Sequence, residues 1–249
     1  MRKFFLIKIN GKSAIFVSDI HLSESDPKTI KSFNHFLLKT CTQHPYLFIL
    51  GDLFEYWVGD DANHFSETQK ILSTISNKTK VFFIAGNRDF LIGKKFLKKN
   101  NISKLEDVTE IQLGNQRALL MHGDNLCTTD YQYQIFKFFV RKKLCMDFFL
   151  NKPLDYRVRF CEKLRKNSML SQKDNKNSII DVNERSVKKM FRKNNWPSFI
   201  IHGHTHRLKT HKYQFGKSYC ERWVLGDWYG SGNYLLWDKK YHLLLPNLH

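Results

Sequence analysis

Five β-prone apolar runs in this chain each stop abruptly at a residue able to bind a metal. They are "AIFVSDIH" (14–21), "YLFILGD" (46–52), "VFFIAGN" (81–87), "ALLMHGD" (118–124) and "FIIHGHTH" (199–206). The runs have strand length, and Ser18, Gly51, Gly86 and Gly203 mark where the strands should stop. Helix-like stretches at 28–40, 65–76 and 93–100 fall between them. Strands alternating with helices predict an α/β layered fold with largely buried sheets. Ligands in such folds gather beyond the carboxyl ends of the strands. All five tips lie at that end.

The rhythm breaks over residues 130–195. "YQYQIFKFFVRKKLCMDFFL" has apolar positions at helical spacing, and "DYRVRFCEKLRKN" continues as a basic amphipathic helix after Pro153. "IIDVNERSVKKMFRKN" is a further helix pattern. Residues 130–176 are therefore expected to form a helical cap over the strand tips, inserted within a single domain spanning 1–249. Aromatic strands in "SYCERWVLGDWYGSGNYLLWD" should complete a sheet, and "MRKFFLIKIN" suits a first strand better than a secretory signal. No apolar run reaches the roughly 18 residues that a membrane span requires. The five cysteines, Cys41, Cys127, Cys145, Cys161 and Cys220, are scattered and fit a reducing compartment, the cytosol by default. A net charge of +18 favours anionic partners: nucleic acid, a phosphorylated substrate or an acidic membrane surface. A lysine- and asparagine-rich background composition gives the same number, so charge alone does not choose.

The tips together offer Asp19 and His21, Asp52, Asn87, His122, and His204 with His206. Each has an ordinary structural role open to it, such as a Gly-Asp turn, a left-handed asparagine or a buried histidine. Chance placement at five separate strand ends is the poorer explanation. Mixed Asp, His and Asn donors suit Mn²⁺ or Fe²⁺, with Zn²⁺ as an alternative. Seven donors exceed the needs of one tetrahedral ion, so two ions sharing a carboxylate is the economical arrangement. His202, His204 and His206 alternate, and an extended segment would point all three the same way.

In this order, "DIH", "GDLFEYWVGDD", "GNRD", "HGD" and "GHTH" resemble the calcineurin-like metallophosphoesterases, over most of the chain outside the insertion. The resemblance implies two mixed β-sheets flanked by helices. It implies one metal site from Asp19, His21, Asp52 and His206, and another from Asp52, Asn87, His122 and His204. His202 falls outside that set and is expected to be structural. Many members of the superfamily carry histidine where this chain has Arg88. Arginine supplies no proton near pH 7 but binds phosphate bidentately. A leaving group that needs no acid is itself a phosphate, so Arg88 favours a pyrophosphate linkage over an alkyl phosphomonoester.

"GNRDFLIG", "HGDNLCTTD" and "GDLFEYWVGDD" look closer to one subfamily, the UDP-2,3-diacylglucosamine pyrophosphohydrolases of lipid A biosynthesis. That likeness implies two Mn²⁺ per chain and a catalytic trio of Asp52, Arg88 and His204. It also implies UDP-2,3-diacylglucosamine as substrate, attack on the α-phosphate, and release of UMP and 2,3-diacylglucosamine 1-phosphate. The expected setting is the cytosolic leaflet of a Gram-negative inner membrane, with the protein peripheral and monomeric. Substrate contacts carry over at Asn87, Arg88, Asp130, Ser168 and His204. Gln172 and Asn175 stand where relatives have asparagine and lysine. Ile135, Phe138, Phe139, Phe148 and Phe149 either line an acyl channel or pack the cap onto the body. Arg141, Lys142, Lys143, Arg157 and Arg159 are expected to meet phosphates or anionic lipid. Asp89 and Asp124 are expected to orient metal-binding histidines or arginines, and Trp57, Asp60 and Asp61 to shape the pocket rim.

The rival readings are a soluble nucleotide-sugar or dinucleoside-polyphosphate hydrolase, a DNA nuclease, a nucleic-acid-binding protein and a non-catalytic scaffold. No helix-turn-helix pattern or RNA-binding signature supports nucleic acid as the partner. A scaffold has no need of a complete ligand set.

Overall fold

The apolar runs pair into two six-stranded sheets, in a computed structural model that describes residues 7–62, 64–174, 182–229, 232–238 and 240–244. In the first sheet β2 (Ala14–Val17), β3 (Tyr46–Ile49), β4 (Lys80–Phe83) and β5 (Ile102–Lys104) run parallel in sequence order. Next to β2, β11 (Tyr234–Asp238) and β12 (Lys240–Leu244) extend this sheet antiparallel. The second sheet has the order β1 (Ile7–Ile9), β6 (Val108–Leu113), β7 (Gln116–Met121), β8 (Phe199–His202), β10 (Ser218–Val224), β9 (Lys209–Phe215). It mixes parallel pairs, such as β7 with β8, and antiparallel ones, such as β6 with β7.

The sheets pack face to face. Phe16, Phe48, Ile84, Leu120 and Ile201 fill the space between them, and Phe48 stacks on Phe16 and Phe82 with ring centroids 5.0 and 4.8 Å apart. The outer face of the first sheet presents Ile15, Val17, Leu47 and Ile49 to α1 (Pro27–Lys39), α2 (Ser66–Ile75) and α3 (Lys94–Lys99), which return Phe33, Leu72 and Phe96. Both faces of the central strands are therefore buried, which is why their sequences are continuously apolar rather than alternating. Helix α1 begins at a cap that the sequence specifies: Asp26 accepts from Thr29 N at 3.1 Å, and Pro27 follows it.

Three helices lie between β7 and β8 where the strand rhythm breaks: α4 (Tyr131–Val140), α5 (Lys143–Leu150) and α6 (Leu154–Asp174). A fourth, α7 (Glu184–Lys193), packs Val187 and Phe191 on the second sheet instead. The loops after β2, β3, β4, β7 and β8 converge. Asp19 N donates to Gly51 O at 3.1 Å, His21 N to Asp52 O at 2.9 Å, and Gly203 N to His122 O at 2.8 Å.

Candidate metal centre

Asp19, His21, Asp52, His204 and His206 all have a positive φ, between 52° and 68°. That left-handed backbone costs a residue with a side chain on the order of 1–3 kcal/mol and persists only where its surroundings hold it. Backbone amides do part of the holding. Asp52 Oδ1 accepts from Arg88 N at 3.0 Å, and Asp19 Oδ2 accepts from His204 N at 2.8 Å. Two glycines permit this approach: a Cβ on Gly86 would lie 2.0 Å from Asp52 Oδ1, and one on Gly203 2.0 Å from Asp19 Oδ2.

The side chains so placed form two adjoining groups. Ligand atoms of Asp19, His21 and His206 lie within 4.8 Å of one another, as do those of Asp19, Asp52 and His122. Asp19 is common to both groups, while Asp52 Oδ2 stands between the histidines, 4.0 Å from His21 Nε2 and 3.6 Å from His122 Nε2. Asn87 Oδ1 lies 2.8 Å from His122 Nε2 and 3.1 Å from His204 Nδ1. All seven residues singled out in the sequence are thus brought together.

Their chemistry fits bound cations. His21 Nε2 faces His206 Nε2 at 3.3 Å, and His122 Nε2 faces His204 Nδ1 at 3.2 Å. Buried Asp19 Oδ1 and His21 Nδ1 have no hydrogen-bond partner. Burial, with Asp89 and Asp19 nearby, pushes Asp52 up to about 7. Burial and the neighbouring His122 push His204 down to about 3. Burial opposes the charged form of His206, but Asp19 and Asp227 outweigh it and push that ring up to about 10. Convergent imidazole nitrogens and crowded buried carboxylates are the donor set that a divalent ion relieves.

Residues 13–208 match the family described as calcineurin-like phosphoesterase. That span holds all seven side chains. The chain is a calcineurin-like phosphoesterase. Among its relatives is a protein of Aromatoleum aromaticum named UDP-2,3-diacylglucosamine hydrolase, 41% identical over 231 residues that cover 91% of this chain and 93% of the relative. Proteins of the same name from Tolumonas auensis and Pectobacterium carotovorum are 38% and 37% identical, covering 86% and 89% of this chain and 88% and 93% of the relatives.

Around the centre of this phosphoesterase, the sequence pattern missed several participants. Glu55 is buried, and its Oε1 lies 2.5 Å from Arg88 Nη1 and 2.9 Å from Arg165 Nε of α6. Its Oε2 accepts from Tyr229 OH at 2.9 Å and lies 3.6 Å from His21 Nδ1. Tyr229 also stacks on His21, and Asp227 Oδ2 holds His206 Nδ1 at 3.1 Å. Asp227 and Tyr229 stand in "GDWYGSG", which carries only a glycine-turn signal, and Glu55 follows Asp52 with no spacing that marks it.

The other residues singled out in the sequence have the following places. His202 is structural, as its place outside the ligand set implied. Strand β8 ends there, and its ring lies 2.8 Å from Gly203 O and 3.2 Å from buried Arg222. Asp89 braces a loop, accepting from Leu53 N and Gly86 N at 2.8 Å each. Asp124 binds the inserted helices, taking Tyr133 OH at 2.7 Å, Lys137 Nζ at 2.8 Å and Arg141 Nη2 at 3.6 Å. Arg141 also donates to Gly86 O, while Arg157 is buried against Asp61 and Val58 O, so both are engaged with the body. Trp57 Nε1 donates to Asp60 Oδ1, and Asp60 accepts from Gly93 N and Phe96 N at the start of α3. Asp130 caps α4, accepting from Tyr133 N at 2.9 Å. Ser168 and Gln172 fall on α6, with side chains outside those described, and Asn175 lies outside the described residues.

Proposed function

We propose that this chain hydrolyses the pyrophosphate bond of UDP-2,3-diacylglucosamine, giving UMP and 2,3-diacylglucosamine 1-phosphate (lipid X). The observation that carries the reading is a cavity of about 560 Å³ that reaches Asn87 and Arg88 and is lined by Phe90, Phe136, Met146, Phe148 and Phe149. A phosphate-binding cation at one end and hydrocarbon-compatible walls beyond it suit an acylated sugar phosphate. The relatives' shared name supports the same substrate.

Asp19, His21, Asp52 and His206 would hold one divalent ion, and Asp52, Asn87, His122 and His204 the other. Mn²⁺ is the expected ion, with Fe²⁺ or Zn²⁺ as alternatives. When bound, such a pair supplies Lewis acidity and positive charge for in-line attack of water on phosphorus. Arg88 binds the phosphate and balances its charge, with Glu55 setting the direction of the guanidinium. No general acid is needed, because the departing group is a phosphate. Residues 130–176 act as a cap within one domain, and Asp130, Ser168, Gln172 and Asn175 are its expected contacts to substrate.

We also place the protein on the cytosolic leaflet of the inner membrane, as a peripheral monomer with no nucleic-acid partner. Ile135, Phe138 and Leu144 are 60%, 64% and 84% exposed, beside exposed Lys142 and Lys143. Lys142 Nζ lies 4.4 Å from the Phe138 ring centre. Apolar side chains interleaved with lysines suit an anionic lipid interface. No helix among the described residues is long and apolar enough to cross a membrane.

The test is Mn²⁺-dependent UMP release from UDP-2,3-diacylglucosamine, with UDP-N-acetylglucosamine and a chromogenic phosphodiester in parallel. Strong preference for the diacylated compound is expected. Equal hydrolysis of the unacylated compounds would leave a soluble nucleotide hydrolase.

A further inference from the structure

A second cavity, of about 660 Å³, adjoins the apolar one and shares Glu55, Tyr56 and Arg165 with it. Its walls carry more ionisable side chains. Ser23, Glu24 and Ser25 come from the loop after the first metal-binding tip, and Glu162 and Lys166 from α6. Phe65 and Tyr56 add aromatic surface, and His64 Nδ1 pairs with Glu24 Oε1 at 2.8 Å across the two loops.

We propose that this cavity binds the nucleoside arm of the substrate, so that the two cavities divide the molecule at its pyrophosphate. The assignment rests on the reaction proposed above. Two guanidinium groups, those of Arg88 and Arg165, meet one oxygen of Glu55 at the junction. Buried Arg165 Nε lies 2.9 Å from that oxygen yet makes no hydrogen bond. Two guanidinium groups converging on one point offer N–H donors to a pyrophosphate lying between the arms. From there the acylated sugar has the apolar cavity, and the other arm has this one. Carboxylates of Glu24 and Glu162 accept hydrogen bonds from ribose hydroxyls, while the Tyr56 and Phe65 rings offer stacking area to a pyrimidine. A second hydrocarbon chain is the competing occupant. It would strip water from two carboxylates and a lysine without replacing their hydrogen bonds, which disfavours it.

The test measures binding of UMP and of 2,3-diacylglucosamine 1-phosphate separately to the Mn²⁺-loaded protein, by calorimetry. Ser25→Trp fills the cavity from an exposed loop position, and Glu162→Ala removes one carboxylate acceptor without adding bulk. Ser25→Trp should weaken UMP binding about tenfold or more, and Glu162→Ala about three- to tenfold, the scale of one lost hydrogen-bonded contact. Both should leave the lipid product's affinity and hydrolysis of a small chromogenic phosphodiester unchanged. Unchanged UMP affinity in both variants would overturn the assignment. So would a Ser25→Trp protein that loses the lipid product but keeps UMP, which would give the cavity to a second acyl chain. A wild-type protein that binds UMP with the expected sensitivity to both variants, yet leaves UDP-2,3-diacylglucosamine intact, would reject the proposed reaction and keep the nucleotide cavity.

Discussion

The strand tips and the inserted helices hold their residues in opposite ways. At the tips, Asp19, His21, Asp52 and His122 are buried, and five of the seven candidate ligands sit in strained backbone. Helix α5 fully buries no residue and rests Met146, Phe149 and Leu150 on the core, while α4 and α6 reach the body through ion pairs. Asp124 takes Tyr133, Lys137 and Arg141; Glu55 takes Arg165; Asp61 takes Arg157. Strain is tolerable only where a rigid core over-determines position, so the metal donors belong on the sheets. Polar latches can open into water at low cost, so an element that admits a large amphiphile is better tied by them.

The largest expected effect removes the carboxylate between the two groups. Asp52→Ala should lower turnover by about 10³-fold or more, beyond the ~10²–10³ that a single transition-state donor supplies. The fold should survive. In the metal-free protein Asp52 is raised from its ordinary 3.8 to about 7. A folded pKa above the unfolded one means that stability falls as pH rises through that window. Without metal, Asp52→Ala should therefore match or exceed wild-type melting temperature at pH 8, and the wild-type excess should return toward pH 4. Activity retained in Asp52→Ala would reject the two-ion assignment.

Glu55 touches both regions, binding Arg88 beside the centre and Arg165 on the cap. Glu55→Gln keeps the shape but loses the charge that fixes two guanidinium groups. A loss of about 10–100-fold in kcat/KM is expected, the range of a mutated orienting partner. Steady-state kinetics against the diacylated substrate and a small phosphodiester separate its two contacts. A fall confined to the diacylated substrate would make the cap contact the important one. Equal falls would make it Arg88.

Asp124→Asn removes the charge to which the cap side chains Lys137 and Arg141 are bound. Its buried carboxylate lies well below the usual carboxylate range, since the surrounding His122, Lys137, His204 and Arg141 outweigh the effect of burial. Losing that charge should loosen α4, so cleavage by trypsin at the cap lysines and arginines should rise several-fold while the global unfolding midpoint moves little. Uniform destabilisation instead would mean that the cap and body unfold as one unit.

The contrast also explains what the sequence could show. Continuous apolar runs made the strands legible because both faces of each central strand are covered, and helix starts such as Asp26-Pro27 announce themselves locally. The seven candidate ligands were legible because each stands at a strand end. Spacing alone left His202 level with His204 and His206, and only the likeness to a family set it apart as structural: the strand stops at that residue, and the left-handed turns at His204 and His206 break the period of two. Glu55, Asp227 and Tyr229 were invisible because their roles depend on loops distant in sequence meeting around His21 and His206. Phe148 and Phe149 were expected either to line a channel or to pack the cap; both line the apolar cavity, and Phe149 also packs against the core. Ile135, Phe138 and Phe139 face outward instead, which helical periodicity alone does not distinguish.

The smallest effect on the protein itself is expected at Leu144, the most exposed large apolar side chain of α5. A leucine 84% exposed contributes little to folding, so Leu144→Ser should shift stability by no more than about 0.5 kcal/mol. Its value lies at an interface. Burying a leucine side chain in lipid is worth about 1.5–3 kcal/mol, so partitioning onto anionic vesicles should fall by about ten- to a hundredfold. Vesicle co-sedimentation at moderate salt reads this directly, because salt screens the lysines but not the apolar contact. Hydrolysis of the small phosphodiester should stay at the wild-type rate. Partitioning that is unchanged by Leu144→Ser but abolished by salt would reduce the cap's outward face to a charged surface, and the interleaved aromatics would lose their proposed role at the membrane.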